Sequence, residues 1–263
     1  IGYYQMNDGT QANIANGRIQ DIATSSPIDG KLNNMTSVQT ESAPIPYISA
    51  NNTNWDSQNT WLNGSVQQIP NSTVNSINGL AQTWNIVITQ HNVLVNRATS
   101  ITLSGLRVDN NKLSITNNLA LRVNKYLKID GILDLEDESQ LLQPTGSIVD
   151  YTGSGNLERD QQGSSNLFNY NYWSSPVSDN GTTFTIANVM YDGTTAINPQ
   201  PLNWTANYNA NPLTTPISIS KRWLYLYENY LDNSYADWNA INENYNIPIG
   251  LGYSMKGSGS ASA

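Results

Sequence analysis

Aliphatic residues return about every twenty positions between Ile86 and Val149, and this period constrains the fold more than any other feature of the chain. Val93, Leu113 and Leu133 are spaced by 20, as are Val95, Ile115 and Leu135, and again Ile101, Leu121 and Leu141. A fourth series runs Ile86/Ile88, Leu106/Val108, Leu127/Ile129 in steps of 20 and then 21, and Val149 continues it. Within each unit apolar and polar residues alternate, as in Ile101-Thr102-Leu103 and Leu106-Arg107-Val108. A period of two inside a longer repeat means short strands that wind into coils and stack. No coil buries its apolar face alone, so each depends on its neighbours. The segment is expected to form a short right-handed parallel β-helix.

Composition carries the all-β reading to the rest of the chain. Only 12% of the 263 residues are charged, and the rings are 15 Tyr and 7 Trp against 2 Phe. Rings with a polar handle suit half-wet surfaces. β-branched and aromatic residues fill the apolar runs, and strong helix formers are scarce. The absence of cysteine excludes disulfides, thiolate metal sites and cysteine nucleophiles. It is compatible with secretion, because a β chain of this size has core enough without cross-links. No apolar run reaches the length of a membrane-spanning helix. The net charge of −8 argues against a nucleic-acid partner. The chain opens on Ile1 without a signal peptide, and we expect it to be a piece of a longer protein.

Four regions follow from the texture of the sequence. Residues 1–45, with Pro27 and Pro44 among Ser, Thr and Asn, read as an extended linker or the end of a preceding module. Residues 46–151 read as a cap containing Trp55, Trp61 and Trp84, followed by the coils; the cap is needed because a first coil exposes unpaired strand edges. Residues 152–257 form a Tyr/Trp-rich region, expected as an antiparallel sheet with strands at Phe184–Val189, Ile217–Ile219, Arg222–Tyr227 and Gly252–Met255. Residues 258–263 read as a linker toward a C-terminal sorting region.

Several runs in the third region resemble a known family. They are Leu157-Glu158-Arg159-Asp160-Gln161-Gln162-Gly163, Asn169 through Val177, Arg222-Trp223-Leu224-Tyr225, Trp238-Asn239-Ala240-Ile241, and Pro248 through Gly257. This series is similar to a region of the large secreted, adhesin-like surface proteins of gliding Bacteroidota, exported by the type IX secretion system. The likeness covers about residues 50–257 and contains no catalytic signature. It implies an extracellular, cell-surface protein whose partner during export is the outer-membrane type IX translocon, with an adhesive, stalk-like or gliding-associated role.

The chemistry-bearing residues are few. His91 is the only histidine and falls in the turn Thr89-Gln90-His91-Asn92, where a solvated role is expected. With no second histidine and no nucleophile elbow, neither a zinc site nor a serine–histidine pair is expected. Glu158/Asp160 and Asp134/Glu136 are same-face carboxylate pairs, but a glycosidase needs its two acids on opposite sides of a sugar. No catalytic residue, metal ligand or cofactor is therefore assigned. Calcium at the acids of 130–138 is a secondary reading, without the loop spacing of an EF-hand. Arg97, Arg107, Lys112, Arg122, Lys125 and Lys128 hold half of the 12 basic residues. They read as solvated coil faces or as a basic stripe for an acidic polysaccharide, with Arg107 and Lys128 as its candidates.

The aromatic residues are the more promising surface. Tyr170 and Tyr172, and likewise Trp223, Tyr225 and Tyr227, recur at strand spacing and share a face. That face is either the core of the domain or a platform on which sugar rings stack. The chain is accordingly expected to be a non-enzymatic adhesin or stalk module. The rival reading is a carbohydrate-binding module or glycan-active enzyme, a polysaccharide lyase or hydrolase, built on a β-helix.

Overall fold

The computed structural model describes residues 18–19, 21, 28–31, 46–74, 79–178, 181–195, 198–211, 213–228 and 238–259. Most of 1–45 and the end of 258–263 lie outside them. Within the first stretch, Arg18–Ile19 (β1) pairs antiparallel with Gly30–Lys31 (β2). The protein is nearly all β, with 40% strand and 6% helix, and it divides into two compact units at Asp160/Gln161.

The first unit is a parallel β-solenoid of about four turns. Its strands are β3 (Tyr47–Ile48), β4 (Thr53–Asn54), β5 (Ile86–Thr89), β6 (Val93–Val95), β7 (Ile101–Val108) and β8 (Lys112–Ile115). They continue as β9 (Ala120–Ile129), β10 (Ile132–Leu135), β11 (Gln140–Leu142), β12 (Ile148–Asp150) and β13 (Asn156–Arg159). One sheet has the order β13-β10-β8-β6-β4 and the other β11-β9-β7-β5-β3, with β12 also beside β9. The long strands β7 and β9 turn a corner where their register shifts between Leu103 and Gly105, so each serves two faces of a coil. Three of the four aliphatic columns stack as the sequence lays them out. Val93 lies beside Leu113 and Leu113 beside Leu133; Ile101, Leu121 and Leu141 align likewise. Apart from the partly buried Leu141 at the last coil, these residues point into a continuous apolar core. Each fully buried side chain of this size stabilises by about 1.5–3 kcal/mol.

The fourth column is displaced by one residue from the expected register. Val87 and Thr89, not Ile86 and Ile88, face inward beside Leu106 and Val108. The run Ile86-Val87-Ile88 is apolar throughout, so alternation gave no face, and the true inward set includes a polar residue. Thr89 is fully buried, and its hydroxyl has no hydrogen-bond partner among the described residues.

The stack also runs past the expected boundary at 151. β13 pairs with β10 in parallel register, Leu133 beside Leu157, so the last coil ends at Arg159. Its step is longer than twenty because an extra turn intervenes, which hides it from a fixed period. At the other end the segment 46–84 is more than a cap. β3 and β4 join the two sheets as a first coil beside β5 and β6. Residues 60–62 then return antiparallel along its free edge, where Ala50 N–H donates to Thr60 O at 2.7 Å and Leu62 N–H to Ile48 O at 2.8 Å. Trp55 and Trp61 close this end edge to face, 4.8 Å between ring centroids. Trp84, by contrast, is exposed.

The second unit contains β14 (Tyr170–Trp173), β15 (Thr183–Phe184), β16 (Tyr191–Asp192), β17 (Gln200–Pro201) and β18 (Asn203–Thr205). It continues with β19 (Ser218–Ser220), β20 (Tyr225–Tyr227), β21 (Trp238–Ala240), β22 (Ile247–Pro248) and β23 (Tyr253–Lys256). An antiparallel sheet of order β14-β23-β20-β21 is joined by the ladders β15-β22, β16-β17 and β18-β19. Two expected strands are shorter than their apolar runs. Ile186–Val189 is a single helical turn, and Lys221–Trp223 is a 3-10 turn whose Arg222 N–H is capped by Ser220 Oγ. The core gathers Phe184, Ile186, Ile219, Leu224, Leu226, Ile247, Tyr253 and Met255.

Candidate functional site

The four-stranded sheet sorts its residues by strand alternation. Leu224 and Leu226 of the β20 segment, Tyr253 and Met255 of β23, and Trp173 of β14 pack on the core side. The alternate positions face away from it. Cross-strand register sets Tyr170 beside Lys256, Tyr172 beside Ser254, Ser254 beside Tyr225, and Tyr227 beside Trp238. The five rings singled out from the sequence are thus brought onto one surface, and that surface is not the core of the unit. Trp223 reaches it from the 3-10 turn rather than from a strand.

Two ring clusters occupy this face. In the first, Lys256 Nζ sits 3.7 Å above the Trp223 ring and 5.2 Å from that of Tyr170. Tyr170 also meets Tyr225 edge on, and Tyr208 packs edge on against Trp223 at 4.9 Å. Trp223 is anchored by its indole N–H, which donates to Tyr208 O at 2.7 Å. In the second cluster, Trp238 stands 5.2 Å from Tyr227 and 6.4 Å from Tyr172. Between them lies a shallow trough of about 220 Å³ lined by Tyr172, Tyr227, Trp238, Gly252 and Tyr253. Its floor depends on Gly252, which leaves open the space a side chain would fill. Tyr172 is 71% exposed, which makes it the most accessible ring of the set. Burial pushes the Tyr253 hydroxyl well above its ordinary pKa, so it stays protonated beneath the trough.

Trp238, Gly252 and Lys256 are the members of this face that the sequence reading did not single out. A signal existed for two of them, since Gly252, Ser254 and Lys256 alternate with the apolar Tyr253 and Met255.

The solenoid candidates have different surroundings. Arg107 and Lys128 are neighbours in register, but each holds a carboxylate, Asp109 at 3.0 Å and Asp130 at 2.9 Å. Arg97 pairs with Asp56. Lys112 lies 3.1 Å from Asp134 and 2.9 Å from Glu158. Four of the six basic residues are therefore paired with acids: Arg107 and Lys128 with a carboxylate two residues onward in sequence, Arg97 and Lys112 with carboxylates that the stacking of coils brings to them. Burial alone would lower the pKa of Lys112, but its bonds to Glu158 and Asp134 more than offset this and hold it above its ordinary value.

The carboxylates share the face of β10 and β13. Asp134 and Glu158 are adjacent in register and clamped by Lys112. Burial, followed by the charges of Asp134, Asp160 and Asp137, raises the pKa of Glu136. Burial, together with the charge of Asp134, likewise raises that of Asp160. Of the acids in 130–138, Asp130, Asp134 and Glu138 are held by Lys128, Lys112 and Arg159. Among the described residues, no three His, Cys, Asp or Glu side chains gather as a metal ion would require. His91 is half-buried, not simply solvated: its Nδ1 lies 3.0 Å from Ser49 Oγ, which also accepts the Gln90 N–H. Ser49 is buried, so the pair ties a turn to the first coil and offers no accessible nucleophile.

Compared with protein-family models, curated proteins and solved structures, the chain gives no match. Among the described residues no helix is long and apolar enough to cross a membrane.

Proposed function

We propose that this chain is a non-enzymatic adhesive module of a secreted bacterial surface protein, in which the solenoid serves as a mount and the aromatic sheet takes carbohydrate. The observation that carries the reading is the outward placement of Tyr170, Tyr172, Tyr225, Tyr227 and Trp238 on a sheet whose opposite side already supplies the core. Fold stability does not need so many rings on the outer face. Flat rings beside an open trough offer sugars C–H stacking, with hydroxyls at the rim for hydrogen bonds. Cell-surface location and export through the type IX translocon rest on the likeness of the runs in 157–257, as does a link to gliding.

A glycan-active enzyme is the second reading, favoured by Glu136 and Asp160, whose raised pKa values are a feature of acid catalysts. Incubating the purified chain with neutral and acidic polysaccharides, and scoring retention and released fragments separately, tests both. Retention without cleavage, lowered about tenfold by Trp238→Ala through the loss of roughly 1.4 kcal/mol of stacking, supports the adhesive module. Released fragments that vanish in Glu136→Gln would establish the enzyme. Neither signal would leave a structural spacer.

A further inference from the structure

We propose that the aromatic sheet takes an acidic polysaccharide, one sugar ring stacking over Gly252 while an anionic group of a neighbouring sugar pairs with Lys256. This rests on the carbohydrate reading above and narrows it to a charge class.

The inference starts from the company Lys256 keeps. The chain carries a net charge of −8, and six of its cations find acids: Arg97, Arg107, Lys112, Lys128, Arg159 and Lys221 each lie within ion-pair distance of a carboxylate, while Arg122 and Arg222 donate to the neutral oxygens of Asn124 and Ala206. Lys256 is half-buried on a sheet face, and among the described residues no carboxylate pairs with it. Its ammonium is held instead by the rings of Trp223 and Tyr170. Ring faces orient a cation but carry no formal charge, so the positive head keeps its capacity for an anion. At the outward positions of β14, β20, β21 and β23 it is the only charged side chain; the others are Tyr, Trp, Ser and Ala.

Spacing then selects a polymer. Gly252 immediately precedes β23 and Lys256 ends it, four residues onward, about 13 Å at the rise of an antiparallel strand. A single sugar stacked over Gly252 does not reach the ammonium, whereas the next units of an extended chain do. Between the two points Ser254 is itself buried beside Tyr172 and Tyr225, so an extended chain joining them runs over the edges of these rings. General attraction does not explain such binding, because the net charge of the protein repels a polyanion. Retention must be local, and raising the salt toward physiological strength screens the long-range repulsion faster than it weakens a half-buried contact.

The test immobilises polygalacturonate, alginate and hyaluronan, each beside its carboxyl-reduced counterpart, with poly-glutamate as an acidic peptide. At 0.15 M salt the wild-type chain is expected to be held roughly tenfold more tightly by at least one acidic polymer than by its reduced form, the scale of one charge-assisted contact. Lys256→Gln removes that preference and Lys256→Arg retains it. Gly252→Leu weakens retention on acidic and reduced polymers alike; its Cβ meets only Trp173 O at 3.6 Å, so the fold tolerates it. Equal retention on each acidic polymer and its reduced form overturns the inference while leaving the carbohydrate reading standing. Retention on poly-glutamate matching that on the polyuronates overturns it in favour of a peptide partner. No retention on any polymer removes both readings.

Discussion

Gly131 sits where one coil passes over the next, and adding a single methyl group there is expected to cost more than its size suggests. A Cβ at Gly131 would lie 2.5 Å from Asn111 O, the carbonyl that accepts the Ile132 N–H at 2.8 Å. A carbon normally approaches such an oxygen no closer than about 3.3 Å, so the two coils must separate locally by roughly 0.8 Å. The obstacle is backbone, which cannot rotate away, and overpacking of this kind costs about 1–3 kcal/mol. Ala gains about 0.4–1 kcal/mol over Gly by restricting the unfolded chain, leaving Gly131→Ala destabilised by about 1–2 kcal/mol. Gly105 supplies the matched control. A Cβ there meets Ile86 and Tyr126 O no closer than 3.7 Å, so Gly105→Ala keeps the gain and is neutral or slightly stabilised. Urea unfolding of both variants, with amide hydrogen exchange read at Ile132 and Asn156, measures the difference. Asn156 N–H donates to Gly131 O, so both amides report on the strained step, while exchange in distant coils changes little. A Gly131→Ala chain as stable as wild type, or a Gly105→Ala chain equally damaged, would refute this account of coil contact.

Three further outcomes are expected. Thr89→Val fills the same volume with an apolar group and removes a buried hydroxyl without a partner, so the solenoid should gain about 1 kcal/mol in chemical unfolding; a loss would mean the hydroxyl is bonded. Glu136 has a raised pKa, so its charge burdens the fold above that value and the burden lifts as pH falls through it. Glu136→Gln is therefore expected to stabilise the fold at pH 7 by about 0.5–1 kcal/mol, read as a higher thermal midpoint, and to lose that advantage below about pH 4. The hydroxyl of Thr152, that of Tyr126 and the Thr152 N–H depress the Asp150 carboxyl to about 2. Its contribution to stability is present above the ordinary carboxylate value and lost as pH falls through about 2; in a carboxyl NMR titration Tyr126→Phe should move the midpoint upward.

Stacking made the solenoid readable because a coil that cannot bury its own face must repeat its inward residues in register. Legibility failed where the physics allowed exceptions. Ile86-Val87-Ile88 gives no polar partner to mark the outer face, and the stack tolerates Thr89 inside. The final coil is lengthened by its extra turn, and Leu157 is followed by Glu158 and Arg159, which look like a surface segment. In the second unit, the i, i+2 rings placed Tyr170, Tyr172, Tyr225 and Tyr227 on shared faces correctly. Which side of the sheet was core could not be read, because that depends on long-range packing of Phe184, Ile219 and Ile247. Ion pairs were the least visible. Lys112 meets Asp134 two strands onward in sequence and Glu158 five strands onward, so a local count of charge exaggerated the basic stripe.

The order of the solenoid sheet also sets a mechanical scale. Five strands from β4 to β13 span four inter-strand steps, about 19 Å at the spacing of paired strands. Such a stack gives little reach. The hydrogen bonds between coils run along its axis. A pull on its two ends therefore opens them one coil at a time, like a zipper, whereas a load along the strands must shear a whole row at once. Resistance to force in this unit is directional, strong across the stack and weak along it.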